Sequence, residues 1–157
     1  MLSLTKRTEY AIIALCHLAR GDGSVASARD IASQYGMKLP LMMGVLKTLH
    51  QRGFLRSIRG VHGGYLLAVR AEDVSIRRLV EGIEGPAKLI KCAPPEEPGE
   101  GCCELMGSCP VRVPVLRLHR ALEAFLDSYT IADVAFDGNF GANHEPQSET
   151  ALKVLAR

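Results

Sequence analysis

At 157 residues, 47% hydrophobic and 23% charged, the chain has the length for one globular domain plus an accessory element, and too much apolar content for a disordered one. No apolar run approaches the ~18 residues of a membrane span. The opening Met-Leu-Ser-Leu-Thr-Lys-Arg-Thr-Glu-Tyr lacks the apolar stretch of a secretion signal, so the expected setting is the cytoplasm, with no membrane partner. The net charge of +2 is unevenly spread: residues 1–91 hold 14 Lys and Arg against 7 Asp and Glu, whereas residues 92–157 hold 5 against 10. A basic first part suits a polyanion, because cations near phosphates release condensed counterions; ordinary surface charge is the plainer reading.

Residues 5–20 predict a helix in which Ala11, Ala14, Leu15 and Leu18 share one face, stopped by Gly21-Asp22-Gly23. Ser27 caps a second helix through about Gln34, ended by Gly36. Pro40 suits the first turn of a third helix, which runs to about Arg52 with Val45, Leu46 and Leu49 on its inner face and Gly53 after it. Two strand-like pieces, Phe54–Ile58 and Gly64–Ala68, flank the glycine-rich Arg59-Gly60-Val61-His62-Gly63, a β-hairpin with a longer loop. Three helices and a hairpin make a winged helix-turn-helix.

Ser75 caps a fourth helix, Ile76 to about Glu84, aligning Ile76, Leu79, Val80 and Ile83, and Gly85-Pro86 breaks it. A loop rich in Pro, Gly and Glu then carries Cys92, Cys102, Cys103 and Cys109. Beyond it Val111, Val115, Leu118, Leu122 and Phe125 recur at spacings of 4, 3, 4 and 3, a coiled-coil-like stripe. Pro114 defers regular helix to about Val113, and Thr130 caps a last short helix. So narrow a stripe suits packing on a second copy, the alternative being its own domain. The expected fold is thus mainly α with a small β-hairpin wing, plus a long C-terminal dimerisation helix. Its divisions are a DNA-binding domain over 1–85, a cysteine loop over 86–110, dimerisation helices over 111–136 and a flexible tail over 137–157.

In this arrangement the third helix enters the major groove by its N-terminal turns. Lys38, Leu39, Leu41, Met42 and Lys47 are the residues expected there, the lysines suiting phosphates better than base edges. On the wing, Arg56, Arg59, His62, Gly63 and Gly64 form a tip of the kind drawn into a narrow, electronegative minor groove. In a reducing compartment, clustered cysteines favour metal or redox chemistry, with an unoccupied loop or a disulfide as the alternative. Cys16, beside His17 in the first helix, reads as a small core residue.

Leu4-Thr5-Lys6 through Tyr10-Ala11, then Gly53-Phe54-Leu55-Arg56-Ser57-Ile58-Arg59-Gly60-Val61-His62-Gly63-Gly64-Tyr65-Leu66-Leu67, resembles the IscR/NsrR family of winged-helix transcription regulators over residues 2–135. The resemblance implies a homodimer that binds palindromic promoter DNA, with repression the expected mode. It further implies an iron–sulfur cluster on three cysteines, whose state controls DNA binding; some members lack the cysteines and sense other signals. The family pattern maps onto Cys92, Cys103 and Cys109, the five residues between Cys103 and Cys109 favouring Cys103 over Cys102. A two-iron (2Fe-2S) cluster is expected ahead of a four-iron (4Fe-4S) one, by family frequency. The chain departs from the pattern at Arg112, where IscR-like members place a histidine ligand and guanidinium cannot ligate. Related sensors use a first-helix carboxylate of the partner subunit instead; the matching residue is Glu9, otherwise an exposed helix carboxylate, and His119 is the lesser candidate. Zinc is the main rival metal, although its usual paired Cys-x2-4-Cys spacing is missing. A thiol–disulfide switch is the other alternative. No catalytic triad, phosphate loop or acid–base pair is legible, so no enzymatic activity is expected.

Overall fold

The computed structural model describes residues 4–86 and 108–136. Three helices come first: α1 (Lys6–Arg20), α2 (Ala28–Gln34) and α3 (Leu39–Gln51). An antiparallel hairpin, β1 (Leu55–Ile58) and β2 (Gly64–Leu67), follows. A 3-10 turn at Ala71–Asp73 leads to α4 (Ile76–Glu84), and beyond the undescribed stretch come α5 (Arg112–Asp127) and α6 (Ile131–Phe136). None of these helices is long and apolar enough to cross a membrane.

The helix boundaries follow local chemistry. Thr5, Ser27 and Ser75 each accept a hydrogen bond from the backbone N–H three residues on, and the Asp30 carboxylate accepts in turn from the Ser27 N–H, completing a capping box. Pro114 is the third residue of α5, inside the first turn where its missing N–H costs nothing, so the helix starts at Arg112, one residue earlier than expected.

The core is a single cluster. Ala11, Ala14 and Leu15 of α1 meet Ile31 of α2 and Val45, Leu46 and Leu49 of α3, all fully buried. Phe54 and Leu55 close it from the hairpin side and Val74 and Leu79 from the α4 side. Cys16 lies at its edge, where burial pushes the thiol up, in keeping with a packing role.

The hairpin pairs Leu55 with Leu67 and Ile58 with Gly64. It is anchored to the segment before α2 by a bridge in which the Ala26 and Tyr65 N–H groups each donate to the other's carbonyl, at 3.0 and 2.9 Å. Gly64 allows this approach: a Cβ there would lie 2.4 Å from the Ala26 carbonyl oxygen.

Two findings link segments distant in sequence. Helix α6, grouped by sequence with the dimerisation helices of 111–136, packs on α1, and its Ile131 and Ala135 belong to the first domain's core. The chain regains that domain through a second bridge, where the Ile76 N–H donates to the Tyr129 carbonyl and the Ile131 N–H to the Val74 carbonyl. The second finding concerns the start of α1. Glu84, the last residue of α4, accepts hydrogen bonds from the Thr5 N–H (3.1 Å) and the Thr8 hydroxyl, which hold its carboxyl below the usual range, Thr8 foremost.

Candidate nucleic-acid interface and sensor cysteine

The inward face of α3 fixes its outward one. With Met42, Val45, Leu46 and Leu49 fully buried, the 100° step leaves Lys38, Pro40, Met43, Gly44 and Lys47 facing outward. This corrects one expectation: Met42, placed by sequence among the DNA-facing residues, is wholly within the core, and its neighbour Met43 is 55% exposed instead. Leu41 is half-buried against the same core, so it supports the helix more than it presents itself. Lys38 and Lys47 are exposed as expected.

The wing presents Arg56, Arg59 and His62 at its surface, with Val61 at the tip 98% exposed. Gly63 and Gly64 are half-buried and act sterically. A Cβ at Gly63 would come within 2.5 Å of the Ile58 carbonyl oxygen, so both glycines shape the tip and its anchor. A cleft of about 590 Å³ opens between wing, α2 and α3, lined by Arg29, Leu39, Met43, Val61 and His62 among others. Arg29, Met43 and Val61 were not singled out by sequence; helical phase from the buried positions of α3 would have found Met43.

The electrostatics of this face are distinctive. None of Lys38, Lys47, Arg29, Arg56 and Arg59 forms an ion pair among the described residues. Arg7 of α1 also points here, its guanidinium donating to the Thr48 hydroxyl of α3 at 3.3 Å. The result is a row of cations without ion pairs among the described residues, bordering a groove between a helix and a hairpin whose lining includes one carboxylate, Asp30.

Of the proposed cysteine ligands, Cys109 alone lies within the described residues. It is a free, half-buried thiol three residues ahead of α5, and its carbonyl accepts from the Arg112 N–H at 3.4 Å. Cys92, Cys103 and the competing Cys102 lie outside the described residues. Glu9 is half-buried on α1 and pairs with Lys6 at 2.5 Å. His119 is in the chain's interior, 6% exposed, with Nε2 3.5 Å from a Glu123 carboxylate oxygen and Nδ1 unpartnered among the described residues. Glu123 also accepts from Arg77 of α4 at 2.9 Å. Arg77 is held as well by Glu81 (2.9 Å) and Asp127 (3.0 Å), so it joins α4 to α5. Along α5, Val113, Leu118 and Phe125 are each more than half exposed, whereas Val115 and Leu122 are half-buried.

A three-helix core, a bridged wing and an unneutralised basic face between them define a winged-helix regulator. Residues 4–137 match the Rrf2 family model, described as an iron-dependent transcriptional regulator, and the chain belongs to the Rrf2 family. It is 30% identical over 139 residues to protein rrf2 of Nitratidesulfovibrio vulgaris, covering 88% of this chain and 90% of that one. Protein aau3 of Rhizobium meliloti is 30% identical over 136 residues, covering 85% and 84%. Among solved structures, CymR (YrzC), the global cysteine regulator of B. subtilis, superposes with a TM-score of 0.65 at 25% identity, covering 86% of this chain and 97% of that one. IscR of T. potens superposes with a TM-score of 0.63 at 25% identity, covering 85% of each. Members of this family are transcription regulators that bind DNA.

Proposed function

We propose that the chain is a cytoplasmic, homodimeric repressor that binds palindromic promoter DNA and is controlled by an iron–sulfur cluster. The observation that carries the DNA-binding part is the unpaired cationic face formed by α3 and the wing. Lys38 and Lys47 meet phosphates at the major groove, while Arg56, Arg59 and His62 enter the adjacent minor groove. The exposed apolar residues of α5 support dimerisation through that helix, which sets two α3 helices about one DNA turn apart.

For the sensor, Cys92, Cys103 and Cys109 would hold a cluster, with Glu9 of the partner subunit as fourth ligand. Thiolates are the ligands such clusters take, and Cys109 meets the requirement of a free thiol that is neither sealed in the core nor fully in solvent. When bound, the cluster, read here as two-iron, supplies a centre reactive to oxygen or nitric oxide. The chain's own part is mechanical: Cys109 leads directly into α5, Arg77 ties α5 to α4, and Glu84 ties α4 to the first turn of α1. A change at the cysteine segment therefore has a continuous bonded route to the helices that carry α3.

Anaerobic purification followed by absorbance spectroscopy and iron and sulfide analysis tests this reading. A coloured protein with equal iron and sulfide, lost in Cys92→Ser, Cys103→Ser and Cys109→Ser, is the expected result; a colourless, zinc-loaded dimer overturns it. Glu9→Ala with wild-type cluster lifetime removes Glu9 alone. A second reading keeps the DNA-binding role but makes the cysteines a metal-free thiol–disulfide switch. It draws on the similarity to the global cysteine regulator CymR, as close as that to IscR. Disulfide mapping by mass spectrometry separates the two.

A further inference from the structure

Ten glycines lie among the described residues, and nine have an internal reason to be glycine. Gly23, Gly36, Gly53, Gly60 and Gly85 have positive φ, and a Cβ at Gly21, Gly63, Gly64 or Gly82 would come within 3 Å of a neighbouring atom. Gly44 has neither. It sits in the middle of α3 without positive φ, and a Cβ there would meet nothing within 4 Å. Glycine inside a helix costs stability relative to alanine, so the fold alone gives no ground for it. The position faces outward, between the exposed Met43 and Lys47 and among the unpaired cations.

The polar chemistry of this surface is equally telling. Reading base edges by hydrogen bonds calls for Arg, Lys, Asn, Gln, Asp, Glu, Ser or Thr on the outward face. From Lys38 to Lys47 that face offers Lys38, Pro40, Met43, Gly44 and Lys47, whose only hydrogen-bonding side chains are the two lysines at its ends, leaving its middle apolar. Thr48, next along, has its hydroxyl engaged: it donates to the Gly44 carbonyl at 3.0 Å and accepts from Arg7 at 3.3 Å.

Building on the DNA-binding reading above, we propose that α3 recognises its half-site by apolar contact and close approach. The missing side chain at Gly44 lets the helix backbone seat against a base-pair edge in the major groove. Met43, unbranched and polarizable, packs on the 5-methyl group of a thymine, the one apolar feature any base presents there. Lys38 and Lys47 hold phosphates on either side and carry no sequence information. The ligand is therefore duplex DNA with a T·A pair at the centre of each half-site, discriminated by its methyl group.

The test uses the full-length protein and a duplex selected from a random-sequence pool, labelled for fluorescence anisotropy. Replacing one thymidine at a time by deoxyuridine removes only the methyl. One position per half-site is expected to weaken binding by about fourfold, the worth of one buried methyl group. Met43→Ala should abolish that thymidine–deoxyuridine difference, and Met43→Leu should keep most of it. Gly44→Ala should raise the thermal midpoint while lowering affinity on the order of tenfold, through overpacking against the groove. A stabilised Gly44→Ala protein with undiminished affinity, or a selected site indifferent to every deoxyuridine, overturns this inference while leaving DNA binding intact. Failure to enrich or bind any duplex overturns both.

Discussion

Arginine does opposite work in two regions of this molecule. At the α4–α5 junction Arg77 is saturated, its guanidinium shared among Glu81, Glu123 and Asp127, with Ser75 also donating to Asp127 at 2.8 Å. Across the wing and α3, Arg56, Arg59, Lys38 and Lys47 form no ion pair among the described residues. The first arrangement neutralises charge to join elements of one chain. The second leaves charge for an anion that the chain does not supply. Cations that serve folding and cations that serve binding are thus separated by their partners, where composition alone would count them together.

Several substitutions break or sharpen that contrast. The largest effect is expected from Gly64→Ala, which forces a Cβ into the Ala26 carbonyl and dislodges the wing. It should cost about 3 kcal/mol of stability and reduce DNA affinity together, read by thermal denaturation and anisotropy. Arg77→Ala, which removes the shared partner of three carboxylates at the junction, should cost about 2 kcal/mol while leaving DNA affinity at 20 °C within about twofold. Arg59→Ala should do the reverse. Affinity falls by about 1–2 kcal/mol and the slope of log affinity against log salt flattens by about one, with stability changed by less than ~0.5 kcal/mol.

The smallest effect concerns Glu84, whose carboxyl is held below its ordinary value first by the Thr8 hydroxyl and then by Thr5. A depressed carboxyl contributes stability that is present above its unfolded value, about 4.3, and is lost as pH falls through the lower folded value. Glu84→Gln should therefore lower stability modestly at neutrality and soften its acid-side loss below that pH, so that the two proteins converge in acid, as followed by denaturation at stepped pH.

Much of the architecture was legible because it is locally coded. The caps at Thr5, Ser27 and Ser75, the buried faces of α1 and α3, and the glycine-rich hairpin all follow from residues a few positions apart. The errors came where a decision depended on distant chain. Met42 is the exception: the helical phase set by Val45, Leu46 and Leu49 already turns it inward and Met43 outward. The return of α6 to the α1 core depends on a bridge between Ser75 and Thr130, 55 positions apart in sequence. Glu84 gave no local hint of its partnership with Thr5 and Thr8. For the candidate site, the wing cations and Cys109 were readable from motif, whereas Gly44 became informative only once its surroundings were known to be empty.

The place of α6 has a bearing on modularity. Ile131 and Ala135 pack into the core beside α1, and Arg20 donates to the Ala135 carbonyl at 2.6 Å. The reading half of this regulator is thus assembled from both ends of the described chain, like a clasp whose two leaves are cut from one strip. A fragment stopping at residue 86 would lose part of its hydrophobic interior and expose what remains. A chain nicked between residues 87 and 107 would keep its two pieces together by those same contacts. Grafting this winged helix onto another protein therefore means carrying the C-terminal helices with it.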